Sequence, residues 1–164
     1  VLIRSYSPME LLSLPVPDAL RVAVVHPHMS VVTAEARRIV AEHRFRIAEA
    51  VANLGQLGAL VTALHRGDLE LFGRAISDVL VEPLRAPLVP GFAETKQTAL
   101  NAGALGCSLS GSGPTMFAFA ATDDHAADLA GLMADRFSEV AGLDSDTYFG
   151  KINPRGARKV EEDE

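Results

Sequence analysis

Apolar positions along the chain change period several times, and each change marks a predicted element. The Val-rich run over 20–26, bounded by Pro17-Asp18 and Pro27, predicts a buried strand. A helix over 32–40 should follow, with Ser30 and Thr33 offering capping oxygens, Glu35 near its start, and Arg37 and Arg38 further along. Ile47, Val51, Leu54, Gly58, Val61 and Leu64 recur at three- and four-residue steps, which predicts one apolar face of a long helix ending at Gly67. Asp68 caps the next helix, whose stripe is Leu71, Phe72, Ala75, Ile76 and Val79, and the prolines Pro83, Pro87 and Pro90 are expected to stop it.

A third well-patterned helix is expected from Phe92 through Thr95, Ala99 and Ala102 to Gly103. The glycine-rich stretch 106–115 comes next, and Met116-Phe117-Ala118-Phe119-Ala120 reads as a strand, so the order is strand, glycine turn, strand. An amphipathic helix over 124–140 and a closing strand over 147–152 complete the pattern. Val1-Leu2-Ile3-Arg4-Ser5-Tyr6 reads as a strand already under way, as expected of a piece of a longer protein. Irregularly mixed helices and strands with hairpin-like connections argue for one α+β domain over 1–153: a mainly antiparallel sheet with helices packed on one face. Residues 154–164 end in Glu161-Glu162-Asp163-Glu164 and are expected to be a solvated acidic tail.

Composition narrows the function classes. The 164 residues are 48% hydrophobic, enough to bury a core, which excludes disorder for most of the chain. Fifteen Lys and Arg against 21 Asp and Glu give a net charge of −6, so no general attraction to nucleic acid or an anionic membrane is expected. The single cysteine, Cys107, can form neither an internal disulfide nor a multi-cysteine zinc site, which points to a reducing, cytoplasmic setting. No uninterrupted apolar run reaches the ~18 residues of a membrane span.

The stretch 106–115 holds three glycines and three serines, a turn that exposes backbone N–H groups and hydroxyls together, as an anion cradle does. It lacks the Gly-Lys-Ser/Thr of a Walker loop, the spacing of a dinucleotide fingerprint and that of a nucleophile elbow. A plain tight hairpin that needs glycine for positive φ is the competing explanation. Thr33 and Arg37 lie four residues apart on one helix face, where a hydroxyl and a guanidinium could converge on a small polar ligand; a capping Thr beside a solvated Arg is the simpler alternative. Arg85, bracketed by Pro83 and Pro87 on a stiffened loop, could serve as a preorganised carboxylate fork or as an ordinary surface arginine. His26 and His28 flank Pro27 without a spaced third ligand, so no metal site is assigned. His43, His65 and His125 are expected at the surface, and Cys107 as a buried thiol with no base to activate it.

The string Leu109-Ser110-Gly111-Ser112-Gly113-Pro114-Thr115, after a helix and before an apolar strand, is similar to the third conserved motif of the GHMP small-molecule kinases. Galactokinases, homoserine kinases, mevalonate kinases and phosphomevalonate kinases belong to that family. The resemblance implies the family's ferredoxin-like C-terminal fold, with Ser110, Ser112 and Gly113 facing the ATP phosphates and Gly111 bordering the acceptor. Two further stretches, Val24-Val25-His26-Pro27 through Thr33-Ala34-Glu35-Ala36-Arg37 and Val81-Glu82-Pro83-Leu84-Arg85-Ala86-Pro87-Leu88-Val89-Pro90-Gly91, resemble the homoserine kinase members. They imply that Thr33, Arg37 and Arg85 orient the amino acid in ATP-dependent phosphorylation of L-homoserine to O-phosphohomoserine, a step toward threonine. Another GHMP kinase and a non-catalytic amino-acid-binding module are the alternatives. The likeness covers only the C-terminal half of such an enzyme. The main phosphate loop and the acidic Mg²⁺ ligand would lie in an N-terminal half, a homodimer remains a possible assembly, and the chain alone is expected to be inactive.

Overall fold

The computed structural model describes residues 1–154 and residue 156. It opens with a two-stranded hairpin, β1 (Leu2–Tyr6) against β2 (Met9–Leu12). Then come β3 (Arg21–Pro27), α1 (Thr33–Glu42), α2 (Ile47–Arg66), α3 (Leu69–Ala75), α4 (Glu82–Arg85) and a 3₁₀ turn at Ala86–Leu88. The order closes with α5 (Phe92–Asn101), β4 (Gly106–Leu109), β5 (Met116–Ala120), α6 (Asp123–Ala141) and β6 (Ser145–Lys151). β4, β5, β3 and β6 lie side by side in that order, and every neighbouring pair is antiparallel.

This is the expected α+β sheet with helices packed against it. Strand alternation sends Ala23 and Val25 of β3 and Met116, Ala118 and Ala120 of β5 into the core. Opposite them α6 buries Ala126, Leu129, Ala130, Met133 and Phe137, four of them fully. Alanines on the sheet side let the larger α6 side chains approach, and burying a Leu, Met or Phe in this way is worth roughly 1.5–3 kcal/mol. Phe119, of opposite parity on β5, meets Phe72 of α3 edge-on at 4.9 Å in a second, smaller cluster with Leu20 and Ala63.

Local signals act as expected at several ends. Gly67 takes φ +65° after α2, and Asp68 Oδ1 accepts from the Leu71 N–H at 2.9 Å to start α3. Three expectations are corrected. The N-cap of α1 is Val32, without a side-chain cap, and Thr33 is the first helical residue, not its cap. The prolines do not stop α3, which ends at Ala75 with Val79 beyond it; Pro83 and Pro87 instead sit in the first turns of α4 and the 3₁₀ segment, where a missing N–H costs nothing. His125 is half-buried, its Nε2 donating to the Ala102 carbonyl at 2.9 Å at the end of α5. The stripe from Ile47 to Leu64 does lie on the expected long helix, but the N-terminal part of its apolar face is open: Ile47 is 82%, Val51 61% and Leu54 66% exposed. The core contacts of that helix come from its far end, at Leu60, Ala63 and Leu64. By length and a mean hydropathy of 1.4, α2 meets the measure of a membrane span.

Candidate active site

The site grows from a four-residue helix. Asp78 Oδ1 accepts from the N–H groups of Leu80 (2.9 Å) and Val81 (3.0 Å), and its Oδ2 from that of Glu82 (3.1 Å). One carboxylate thus ties down the two residues that lead into α4 and the first N–H group of the helix, that of Glu82, while Val81 is the N-cap residue. Within that single turn Glu82 and Arg85 stand three residues apart and enter the same cleft, of about 320 Å³, together with Asp78, Ser108 and Gly111.

Each α4 side chain is tied to a different element. Glu82 accepts from Ser108 Oγ of β4 at 2.5 Å and forms an ion pair with Lys96 of α5. Lys96 also lies 5.8 Å over the ring of Phe92, which is itself buried. Arg85 donates from Nη1 to the Gly111 carbonyl at 2.9 Å, and its Nε is buried without a hydrogen-bond partner among the described residues. Arg85 therefore sits on a helical turn and not on a loop as the proline pattern suggests, but the prolines still rigidify its flanks.

The glycine turn is a compact hairpin between β4 and β5. Ser110 N–H donates to the Thr115 carbonyl at 2.8 Å, and Gly113 N–H to the Ser110 carbonyl at 3.2 Å. Gly111 and Gly113 have φ of +62° and +81°, backbone that L side chains rarely adopt. A Cβ on Gly111 would meet open space, whereas one on Gly113 would come within 3.1 Å of Val89 Cγ2. Thr115, at the foot of the turn, is hydrogen-bonded to His26 Nδ1 at 2.7 Å, which gives His26 a structural partner; His28 Nε2 lies 3.2 Å from Asp146.

Arg85 and Gly111 are thus in direct contact, while no hydrogen bond or ion pair among the described residues links Thr33 or Arg37 to either. Helix α1 lies against α4, and the Val31 side chain just before it approaches Gly113. Both Thr33 and Arg37 are exposed, and among the described residues neither side chain has a hydrogen bond or ion pair. Neighbouring Arg38 differs: it pairs with Glu35 and Glu42, which drives its own pKa up and holds the Glu35 carboxyl below the usual carboxylate range. Ser110 is exposed and Ser112 half-buried. Cys107, inside β4, is a buried thiol pushed up to about 12 by burial, so it stays protonated and inert near neutral pH. No group of three His, Cys, Asp or Glu side chains suited to a metal ion occurs among the described residues.

Comparison with known proteins places this geometry. Residues 60–138 match the family model described as GHMP kinases C terminal. A homoserine kinase of Chloroherpeton thalassium is 44% identical over 158 residues, covering 96% of this chain and 49% of that protein. The crystal structure of a homoserine kinase from Cytophaga hutchinsonii superposes with a TM-score of 0.89 at 41% identity, covering 93% of this chain and 48% of the other. The chain belongs to the GHMP kinase family. It spans about half the length of the curated relatives it matches. A Streptococcus pneumoniae phosphomevalonate kinase, at 15% identity and a TM-score of 0.64, shares the fold.

In this GHMP kinase domain the residues that sequence reasoning missed are Asp78, Glu82, Lys96 and Ser108. For Asp78 the usable signal was the helix start marked by Pro83 in its first turn, with an Asp shortly ahead of it whose short side chain can bind the backbone leading in. The Glu82 partners lie 14 and 26 residues away, beyond any local pattern.

Proposed function

We propose that this chain forms the acceptor-side half of a homoserine kinase, transferring the γ-phosphoryl group of ATP to the side-chain hydroxyl of L-homoserine to give O-phosphohomoserine. The observation that carries this reading is the Arg85–Gly111 contact: a planar cation is moored on the serine-glycine turn, with one N–H edge still unmatched. A guanidinium presented this way suits the carboxylate of an amino acid, and bidentate charge-assisted bonds of that type are about twice as strong as neutral ones. Relatives named homoserine kinase, at more than 40% identity across nearly the whole chain, support the same acceptor.

Within this reading Arg85 and Arg37 hold the acceptor carboxylate, Thr33 adds a hydroxyl and Gly111 borders the substrate. Ser110, Ser112 and Gly113 border the nucleotide phosphates. The residues fit such a group, since Gly111 leaves space where a side chain would stand and the turn carries two hydroxyls. ATP with Mg²⁺ supplies the phosphoryl group and the counter-charge for its transfer. Most of the binding to it belongs to an N-terminal half joined to this chain in a cytoplasmic enzyme. The test is Arg85→Ala in the full-length kinase. The KM for homoserine should rise at least about tenfold, the worth of one charge-assisted bond. An unchanged KM would refute the carboxylate assignment, and a substrate panel that favours a sugar or mevalonate-type alcohol would move the enzyme to another branch of the family.

A further inference from the structure

Glu82 and Arg85 face one cleft from positions three apart on α4, the spacing at which a carboxylate and a guanidinium on a helix ordinarily pair with each other. They do not pair here. Both carboxylate oxygens of Glu82 are occupied, Oε1 by Lys96 Nζ and Oε2 by Ser108 Oγ. Arg85 turns instead to the Gly111 carbonyl, a neutral acceptor that leaves its charge uncancelled. The Glu82 side chain is only 13% exposed and that of Lys96 only 23%, so water screens this cluster weakly and the choice of partner matters. Lys96 is fixed independently by α5 and by its place over the Phe92 ring.

We propose that Lys96 is a positioning residue that sets acceptor affinity: by holding the Glu82 carboxylate against Ser108, it prevents that carboxylate from capturing Arg85 and keeps the guanidinium available to the substrate carboxylate. The proposal rests on the acceptor role given to Arg85 above. Without Lys96 the Ser108 hydroxyl alone cannot neutralise Glu82, and the nearest cation on the same helix face is Arg85. The resulting pair would compete directly with the incoming amino acid. Removing the carboxylate as well should abolish the competition, which a purely structural role for Lys96 does not predict.

The experiment is a cycle in the full-length kinase comprising Lys96→Met, Lys96→Arg, Glu82→Gln, the Lys96→Met/Glu82→Gln double variant and Arg85→Ala, with KM and kcat for homoserine and a thermal midpoint for each. Lys96→Met should raise KM about tenfold while kcat stays within about twofold, the split expected when binding is lost equally from the ground state and the transition state. Lys96→Arg should keep the parental KM, and the double variant should return KM close to that of Glu82→Gln alone. Should Lys96→Met not fold, the comparison of Glu82→Gln with the double variant carries the test, since Lys96→Met must then add nothing. A double variant as impaired as Lys96→Met, or a parental KM in Lys96→Met beside a raised KM in Arg85→Ala, overturns the proposal while leaving Arg85 as the carboxylate ligand. A parental KM in Arg85→Ala overturns the acceptor reading itself, and this proposal with it.

Discussion

Arg85 Nη1 donates to the carbonyl oxygen of Gly111 at 2.9 Å, so the candidate acceptor clamp and the tip of the serine-glycine turn form one mechanical unit. The two glycines of that turn should then respond differently to alanine. Gly111→Ala meets no neighbour and costs only its left-handed backbone, on the order of 1 kcal/mol. Gly113→Ala carries the same backbone strain at φ +81° and also presses on Val89, a fully packed side chain. Denaturant melts should rank Gly113→Ala as the more damaging of the two. The reverse order would mean that the turn is looser than its hydrogen bonds indicate.

Asp78 acts at one remove from the clamp. Its carboxylate receives the N–H groups of Leu80 and Val81, which lead into α4, and of Glu82, its first residue, and this helix has only one turn in which to place Glu82 and Arg85. Asp78→Ala should cost roughly 1.5–3 kcal/mol, the range for hydrogen bonds made to a charged group. Asp78→Asn, which keeps one acceptor oxygen, should recover part of that. Equal melting temperatures for parent and Asp78→Ala would show that α4 is held by its packing alone.

The elements that were legible before the structure are those with a long period or a sharp stop. The α6 helix, the β5 strand and the helix ends at Gly67 and Gly103 depend on local chemistry, and all appear where the pattern puts them, although Leu132, on the apolar side of α6 by period, is 42% exposed. Helix α4 was not legible because four residues carry no period, so its prolines read as breakers when they are helix starters. The α2 stripe has the right period, but periodicity says only that one face is apolar, not what covers it, and the first half of that face is open among the described residues. In the site, Arg85 and the serine-glycine turn were legible through a family motif. Glu82, Lys96 and Ser108 were not, because an ion pair between α4 and α5 and a hydrogen bond to β4 exist only once the chain has folded.

Arg37 and Arg38 are adjacent in sequence yet differ in what they are free to do. Arg38 is committed to Glu35 and Glu42 on its own helix, while Arg37 has no acidic partner among the described residues. If the acceptor reading is right, Arg37→Ala raises KM for homoserine with little change in stability, and Arg38→Ala leaves KM at the parental value. Exposed pairs of the Arg38 kind contribute ~0–1 kcal/mol, so its loss should barely move the melting temperature. An identical KM in both variants would remove Arg37 from the site.

Cys107 gives the fold a dependence on alkaline pH. Burial in β4 pushes its thiol up to about 12, with the Glu82 carboxylate adding to that and Lys96 opposing it. In the unfolded chain a thiol ionises near ~8.5. Between those two values the unfolded state has released a proton that the native state still holds, so stability falls as pH rises, at no more than about 1.4 kcal/mol per unit. Below the ordinary thiol range both states are protonated and the contribution is flat. Chemical unfolding of the parent and of Cys107→Ala from about pH 8 to about pH 11 isolates the effect, because the other titrating groups are common to both chains. The parent should lose stability more steeply than the alanine variant above the thiol range, and native thiol alkylation should stay slow until unfolding. Parallel stability curves, or rapid alkylation of the folded chain, would show that the thiol is reached by water and that β4 is less tightly covered than its burial indicates.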